Sequence, residues 1–314
     1  MLRIGLVGAG YWGSNIARAI IDKKLGDLVA IHDMYFEKAY ELAKRYDSKP
    51  YKDLDQMLEK EDLDAVIVAV SADNLYRVAK KVIEEGINVF IEKPVATSLE
   101  EIEDLRKRSE VKGVVAVPGF IMRFDPVAIY IKDYLEKMSQ DPVYIYIQRS
   151  GRRAVRYRNI SIILDLGVHD IDLLMYLLKN KERLKVIDAC ISHVADDESY
   201  ITYIDYEVGT AMLSSNSAPL VKIRKIFVNL DEKILLEGDF VLSEVRVVEN
   251  KKILQQKILS SSEEPLVAEL KAFIDKINGK DSSSPDLRDA EKVHKIIKEI
   301  FLAPRSRDES RECI

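Results

Sequence analysis

The sequence predicts an α/β fold in two parts. An N-terminal doubly wound parallel sheet comes first, followed by an α+β domain on a large open, mostly antiparallel sheet. Three observations predict it. Over the first 120 residues, short apolar runs alternate with amphipathic helical stretches, the rhythm of parallel strands joined by crossover helices. The first apolar run leads directly into a glycine-spaced turn, Gly8-Ala9-Gly10-Tyr11-Trp12-Gly13. Beyond residue 140, strand-like runs follow one another without intervening helices, as in antiparallel sheets. The chain has 314 residues, enough for two cores. The expected division is 1–120, 121–302 and a charged, disordered tail over 303–314.

Composition narrows the function classes. Hydrophobic residues make up 47% and charged residues 32% of the chain, the balance of a globular domain. A net charge of −5 gives no basic field for nucleic acid. Cys190 and Cys313 match no metal-ligand spacing and no disulfide framework, so no metal is expected. Met1-Leu2-Arg3 runs straight into the first strand, and no apolar run approaches membrane-spanning length. No membrane association is expected, and a cytoplasmic location is.

The elements follow in order. Residues 2–7 form a buried-type strand and 14–20 a helix. In the turn between them Gly8 permits the tight bend and Gly10 lets a pyrophosphate approach the backbone. Gly13 lets the helix pack on the strand. The pyrophosphate sits on the helix N-terminus, where Tyr11 and Trp12 also lie. The second strand, 28–32, ends in Asp33. A carboxylate there accepts hydrogen bonds from ribose hydroxyls and repels a 2′-phosphate. No arginine stands beside it, so the cofactor expected is NAD rather than NADP. An ordinary strand-end acid fits the same position.

Helices are expected over 36–46, 53–60 and 73–85, and strands over 65–70, 88–91 and 114–117. Ligands of such sheets bind at strand C-termini. Ser71, Asn74, Glu92 and Lys93 therefore join the cofactor set. Pro94 biases Lys93 toward an extended backbone. A lysine there can also donate to a substrate hydroxyl and hold its oxyanion, although most lysines are solvated surface residues.

In the second part a helix is expected after Pro126 to 138, a strand over 143–148 and a helix over 167–179. Strands are expected over 199–206, 223–229, 240–248 and 253–259, and helices over 266–277 and 289–300. Of four histidines only His169 has carboxylates at −4, +1 and +3. In a helix from about 167, Asp172 shares its face and Asp165 can reach the imidazole. A carboxylate beside an imidazole fixes its tautomer and raises its basicity, as a general base requires. Acids favoured by the helix dipole beside an incidental histidine give the same spacing. Just upstream, Arg149, Arg152, Arg153, Arg156 and Arg158 fall within ten residues that hold no acid. Guanidinium forks bind phosphate bidentately, while a solvated loop or subunit salt bridges would use the same residues.

Gly8-x-Gly10-x-x-Gly13, then Glu92-Lys93-Pro94, then Asp165-x-Gly167-x-His169-x-x-Asp172 resembles the Gfo/Idh/MocA oxidoreductase family. The likeness spans nearly the whole chain. It implies a Rossmann domain that binds NAD, with Lys93, Asp165 and His169 as the catalytic set. Gly119-Phe120-Ile121-Met122-Arg123-Phe124-Asp125-Pro126 is similar to a Gly-His-x-x-Arg-Phe-Asn-Pro segment. The stretch from Arg149 through Asp172 resembles the family's nucleotide-sugar branch. The resemblance implies hydride transfer from a sugar hydroxyl carbon, most directly of a UDP-sugar such as UDP-N-acetylglucosamine at C3. Substrate contacts are expected from Arg123, Arg149, Arg156, Asp165 and His169. A free polyol or simple sugar as substrate, or a non-catalytic dinucleotide-binding sensor, are the alternatives. A homodimer or homotetramer through the second sheet is also implied. Tyr200, Tyr203, Ile204 and Tyr206 are expected to leave apolar area on one face of it.

Overall fold

The computed structural model describes residues 1–154, 159–178, 183–194, 196–261, 263–280 and 282–303. It divides into two compact units, Met1–Ile121 with Glu263–Glu291, and Met122–Ser262 with Lys292–Ile314.

The first unit holds a parallel sheet of β1 (Arg3–Val7), β2 (Asp27–His32), β3 (Lys49–Tyr51), β4 (Ala65–Val68), β5 (Asn88–Glu92) and β6 (Ala116–Gly119), in the order β3-β2-β1-β4-β5-β6. The order reverses at β1, and ligands of open α/β sheets bind beyond the strand ends at such a switch point. β4 is buried along its whole length, which is why it reads as an unbroken apolar run. β3 escaped the sequence reading because it is three residues long and contains Pro50, typical of an edge strand. α5 (Leu99–Lys112) escaped because it is highly charged and buries little beyond Ile102 and Leu105. Its start is nonetheless marked, since the Ser98 hydroxyl accepts from Glu101 N at 3.2 Å, half of a capping box.

A single boundary near residue 120 does not hold. α8 (Pro265–Ile277) returns to the first unit. Its Leu266, Val267, Leu270 and Phe273 share a core with Ile16, Ile20 and Phe90. The Phe90 and Phe273 rings lie 5.8 Å apart. An apolar helix face goes wherever it buries most area, and chain order does not record that choice.

The second unit carries β7 (Tyr144–Ser150), β8 (Leu184–Val194), β9 (Asp197–Tyr206), β10 (Gly209–Asn216), β11 (Ile223–Asn229), β12 (Ile234–Asp239), β13 (Glu244–Glu249) and β14 (Lys252–Ile258). Their order is β14-β13-β12-β11-β7-β10-β9-β8. Neighbours are antiparallel except β7 and β10, which are parallel. Three of these strands were not anticipated. β8 is broken in register near Asp188. β10 points only Ala211, Leu213 and Ser215 inward, a weak alternation. β12 was missed, and the strand expected over 240–248 is β13 preceded by a turn at 240–243.

The expected apolar face is also corrected. Successive strand residues point to opposite faces, so Tyr200, Ile204 and Tyr206 are buried together while Tyr203 is 39% exposed on the other side. On that open side Tyr203, Met212, Tyr146 and Phe227 are neighbours in register across four strands. Among the described residues no helix is long and apolar enough to cross a membrane. Cys190 in β8 is disulfide-bonded, where the cysteine spacing suggested no disulfide framework. Cys313 and residues 304–314 of the expected tail lie outside the described residues.

Candidate functional site

In the first unit the glycine turn is built by close approach. Gly8 has φ +107°, and a Cβ there would lie 2.3 Å from Ala69 O. A Cβ on Gly13 would lie 1.8 Å from Gly8 O, so α1 (Tyr11–Asp22) can start against the end of β1 only with glycine at that place. Gly10 is the N-cap of α1. No side chain caps the helix there, and nothing lies within 4 Å of a Cβ built on Gly10. A bare helix N-terminus with an open approach suits a pyrophosphate, so the residues present fit NAD.

Asp33 follows β2. Its Oδ2 accepts from Ala9 N at 2.8 Å and its Oδ1 from Tyr35 N at 2.9 Å. The carboxylate thus ties the glycine turn to the end of β2. A carboxylate offers about four acceptor positions, which leaves capacity for a ribose. Tyr11 is exposed. Trp12 instead packs on the core and donates from Nε1 to Glu92 Oε1, so its indole supports the turn from below. At the start of α4 (Ala72–Glu84), Asn74 Nδ2 donates to Ser71 Oγ at 2.9 Å, and Asn74 Oδ1 accepts from Arg77 at 3.1 Å.

Glu92 ends β5 and is 8% exposed. Its Oε2 accepts from Lys93 N at 3.2 Å. Burial pushes its carboxyl up to about 7, against the pull of the Trp12 N–H and the Lys93 charge. The Lys93–Pro94 peptide is cis, and Val95 N donates to Glu92 O at 2.9 Å, closing a proline turn. Sequence reading anticipated a lysine at the strand end with an extended backbone before Pro94. The half-buried Lys93 leaves the sheet through that turn.

The raised Glu92 value has a consequence for stability. The folded chain holds the proton up to about pH 7, whereas an unfolded glutamate releases it near its ordinary 4.5. This contribution is complete below the unfolded value and is lost as pH rises toward the folded one. It amounts to about 3 kcal/mol. Melting curves of wild type and Glu92→Gln from about pH 5 to about pH 8 read it out. The wild-type midpoint should fall with pH relative to the variant, and parallel curves would show that Glu92 does not bind the proton.

In the second unit a π-helical turn, Ile163–Gly167, precedes α7 (Val168–Leu177) and is closed by a bond from Val168 N to Ile163 O. Such turns often occur at functional sites. A Cβ on Gly167 would lie 2.7 Å from Tyr200 Oη, so glycine lets the turn rest on β9. The helix expected from about 167 is present as α7, and Asp165 just upstream of it lies in this wider turn, which was not anticipated. Asp165 is 4% exposed, and its Oδ2 accepts from Arg153 Nε at 3.0 Å. Arg153 also donates to Glu198 at 3.2 Å and to Ile160 O at 2.6 Å. The half-buried His169 interacts with other groups of the chain, though not by a hydrogen bond through its buried Nδ1.

α7 is pinned on either side of this histidine. Asp170 accepts from Arg149 Nε and Nη2 at 2.9 and 2.7 Å. Asp172 accepts from Arg123 Nε and Nη2 at 3.0 and 2.6 Å. Arg149 and Arg123 are only 3% and 7% exposed. Both were expected on the substrate, and the structure commits both to buried carboxylates of α7. Buried aspartates need such partners, but spacing alone could not show which acids would be buried. Arg156 lies outside the described residues.

One half-buried cation on the face that carries α7 was not singled out. Tyr200, Ser215, Arg149 and Arg224 stand opposite one another in register on β9, β10, β7 and β11. Residues paired this way share a face, and this is the face on which α7 lies. Arg224 is half-buried. Burial brings its guanidinium down to about 10, and the neighbouring Arg149 charge acts in the same direction. The signal was present in Arg224-x-Ile226-x-Val228, where an arginine keeps phase with two buried residues.

Comparison with known proteins adds to this geometry. Residues 2–120 match the Gfo/Idh/MocA model, described as an oxidoreductase family with an NAD-binding Rossmann fold. The chain is 32% identical over 151 residues to 2,7-anhydro-N-acetylneuraminate hydratase of Mediterraneibacter gnavus, covering 46% of this chain and 39% of that protein. It is 26% identical over 201 residues to UDP-N-acetylglucosamine 3-dehydrogenase of Acidithiobacillus ferrooxidans, covering 64% and 62%. The matches thus span less than two thirds of either relative. The solved structure of the latter enzyme superposes with a TM-score of 0.83 at 22% identity, over 96% of this chain and 97% of the other. That likeness speaks to the fold.

Proposed function

We propose, from the premise that the chain belongs through residues 2–120 to the Gfo/Idh/MocA oxidoreductase family, that it is an NAD-dependent dehydrogenase of a sugar CH–OH group. The substrate we favour is a UDP-sugar, UDP-N-acetylglucosamine or a close relative, oxidised at C3. The observation that carries this reading is the half-buried His169 on a helix held by two buried ion pairs, in a chain with an open glycine cradle at Gly10. A group fixed this way is suited to proton transfer at a defined atom.

Bound NAD supplies the hydride acceptor. The chain's own residues do the rest. Gly8, Gly10 and Gly13 with the α1 N-terminus hold the pyrophosphate, and Asp33 receives the ribose hydroxyls. His169 accepts the proton of the substrate hydroxyl. Asp165, fixed by Arg153, provides negative charge upstream of the resulting imidazolium. Lys93 is assigned as donor to the substrate oxygen as charge develops on it. The nucleotide requirement is supported by the 26% identity to a UDP-N-acetylglucosamine dehydrogenase, and no longer by Arg149 or Arg123.

Steady-state assays with NAD⁺ decide among substrates. UDP-N-acetylglucosamine should show a higher kcat/KM than free N-acetylglucosamine or myo-inositol. A free sugar or polyol used as well as the nucleotide sugar would sink the nucleotide requirement and leave the dehydrogenase standing. The hydratase relative motivates one further readout. Product that has gained the elements of water, without NADH accumulating, would replace the dehydrogenase reading.

A further inference from the structure

Arg224 has no role in the reaction as assigned above, and its surroundings are unusual for a half-buried arginine. The carboxylates that its charge feels are Asp170, Asp125 and Asp165. Each is already committed. Asp170 accepts from Arg149, and Asp165 from Arg153. Asp125 caps α6 (Pro126–Met138) by accepting from Val127 N at 2.9 Å. Arg224 itself forms no ion pair or side-chain hydrogen bond among the described residues. A desolvated guanidinium with five donors and no acceptor is costly. Such a group persists where a ligand supplies the acceptor.

A second cation faces the same place. Lys222 lies two residues before Arg224, just ahead of β11, and its ammonium feels the charges of Arg224 and Arg149. Among the described residues it too has no ion-pair partner. A Cβ on Gly151, at the end of β7, would lie 3.4 Å from Lys222 Cα, so the strand end beside Lys222 carries no side chain. The Arg224 and Arg149 charges hold the Lys222 ammonium below its ordinary value, as expected where three cations crowd together. Arg224 sits one strand over from Arg149, about 5 Å away across the sheet. Arg149 in turn grips Asp170, the residue after His169. Arg224 therefore stands beside the helix that carries the proposed base, with Lys222 at the strand end next to it.

We propose that Arg224, assisted by Lys222, binds an anionic group of the sugar substrate, a carboxylate or a phosphate. This rests on the dehydrogenase reading for the identity of the substrate, but its test does not depend on turnover. The planar fork of Arg224 meets two oxygens of such a group with charge-assisted bonds. Lys222 adds a point charge at the rim. The site thus selects charged sugars over neutral ones, because a neutral hydroxyl leaves the guanidinium unsatisfied.

Calorimetric titration of the NAD-loaded protein with D-glucuronate, N-acetylglucosamine 1-phosphate and neutral N-acetylglucosamine tests this. At least one anionic sugar should bind more tightly than the neutral one, by on the order of 10²-fold. The arm that shows the preference identifies carboxylate or phosphate. Arg224→Gln should abolish the preference while NAD affinity stays unchanged, and Arg224→Lys should restore part of it. Lys222 is exposed, so Lys222→Gln cannot disturb the core, and it should weaken the same preference severalfold. That variant decides the matter if Arg224→Gln fails to fold. Equal wild-type affinity for neutral and anionic sugars, or a preference that survives both substitutions, overturns the proposal. If the preference is found and lost as described but no sugar reduces NAD⁺, the dehydrogenase reading fails and the anion site remains.

Discussion

Replacing His169 by Asn should lower kcat by on the order of 10²–10⁴, the usual contribution of a positioned general base, with NAD affinity nearly unchanged. The separation of these effects follows from the structure. The glycine turn and Asp33 belong to the first unit, and His169 to the second. The helix that carries His169 is anchored through Asp170 and Asp172, so removing the imidazole leaves α7 in place. Asparagine keeps a polar side chain of similar reach but cannot titrate. The acid limb of the wild-type pH–rate profile should therefore disappear in the variant. Single-turnover measurements across pH, with NAD binding followed separately, read out both effects. A variant that keeps the wild-type kcat at every pH would remove His169 from the chemistry.

What could be read from the sequence follows what its residues can encode locally. The glycine turn was legible because each glycine answers a backbone constraint. Gly8 adopts a positive φ, Gly13 meets a carbonyl where a Cβ cannot fit, and Gly10 must stay open. The parallel sheet was legible because β4 is buried on both faces. Asp165, Gly167 and His169 were singled out by their spacing, but the π turn that spaces them was not legible. The arginines were read least well. Arg123, Arg149 and Arg224 look equivalent in sequence, and their roles depend on which carboxylates are already taken. Asp172 and Asp170 claim the first two, and among the described residues no carboxylate pairs with the third. That allocation is set by long-range register between β7, β11 and α7 and has no local sequence signal. The same applies to α8, whose apolar face fits either core by composition alone.

The allocation makes the Arg123–Asp172 pair a sensitive point of the second unit. The two side chains are 7% and 1% exposed and meet at 2.6 Å, and the guanidinium also lies 5.6 Å from the centre of the Tyr176 ring. Asp172→Ala would leave the arginine buried without its carboxylate. Breaking a buried pair by removing one partner costs about 3–5 kcal/mol, which for a domain of this size lowers the melting temperature by on the order of 10 °C. The cost comes from the stranded charge more than from the lost attraction. A double substitution, Arg123→Met with Asp172→Leu, should therefore recover most of the stability. Activity separates the two effects further. The double variant should fold but turn over slowly, because an apolar contact does not fix the rotation of α7, and with it His169, as a two-bond fork does. Calorimetry on the wild type, the single variants and the double variant supplies the cycle. If Asp172→Ala melts with the wild type, this pair does not hold α7, and the placement of His169 must rest on Arg149 and Asp170 alone.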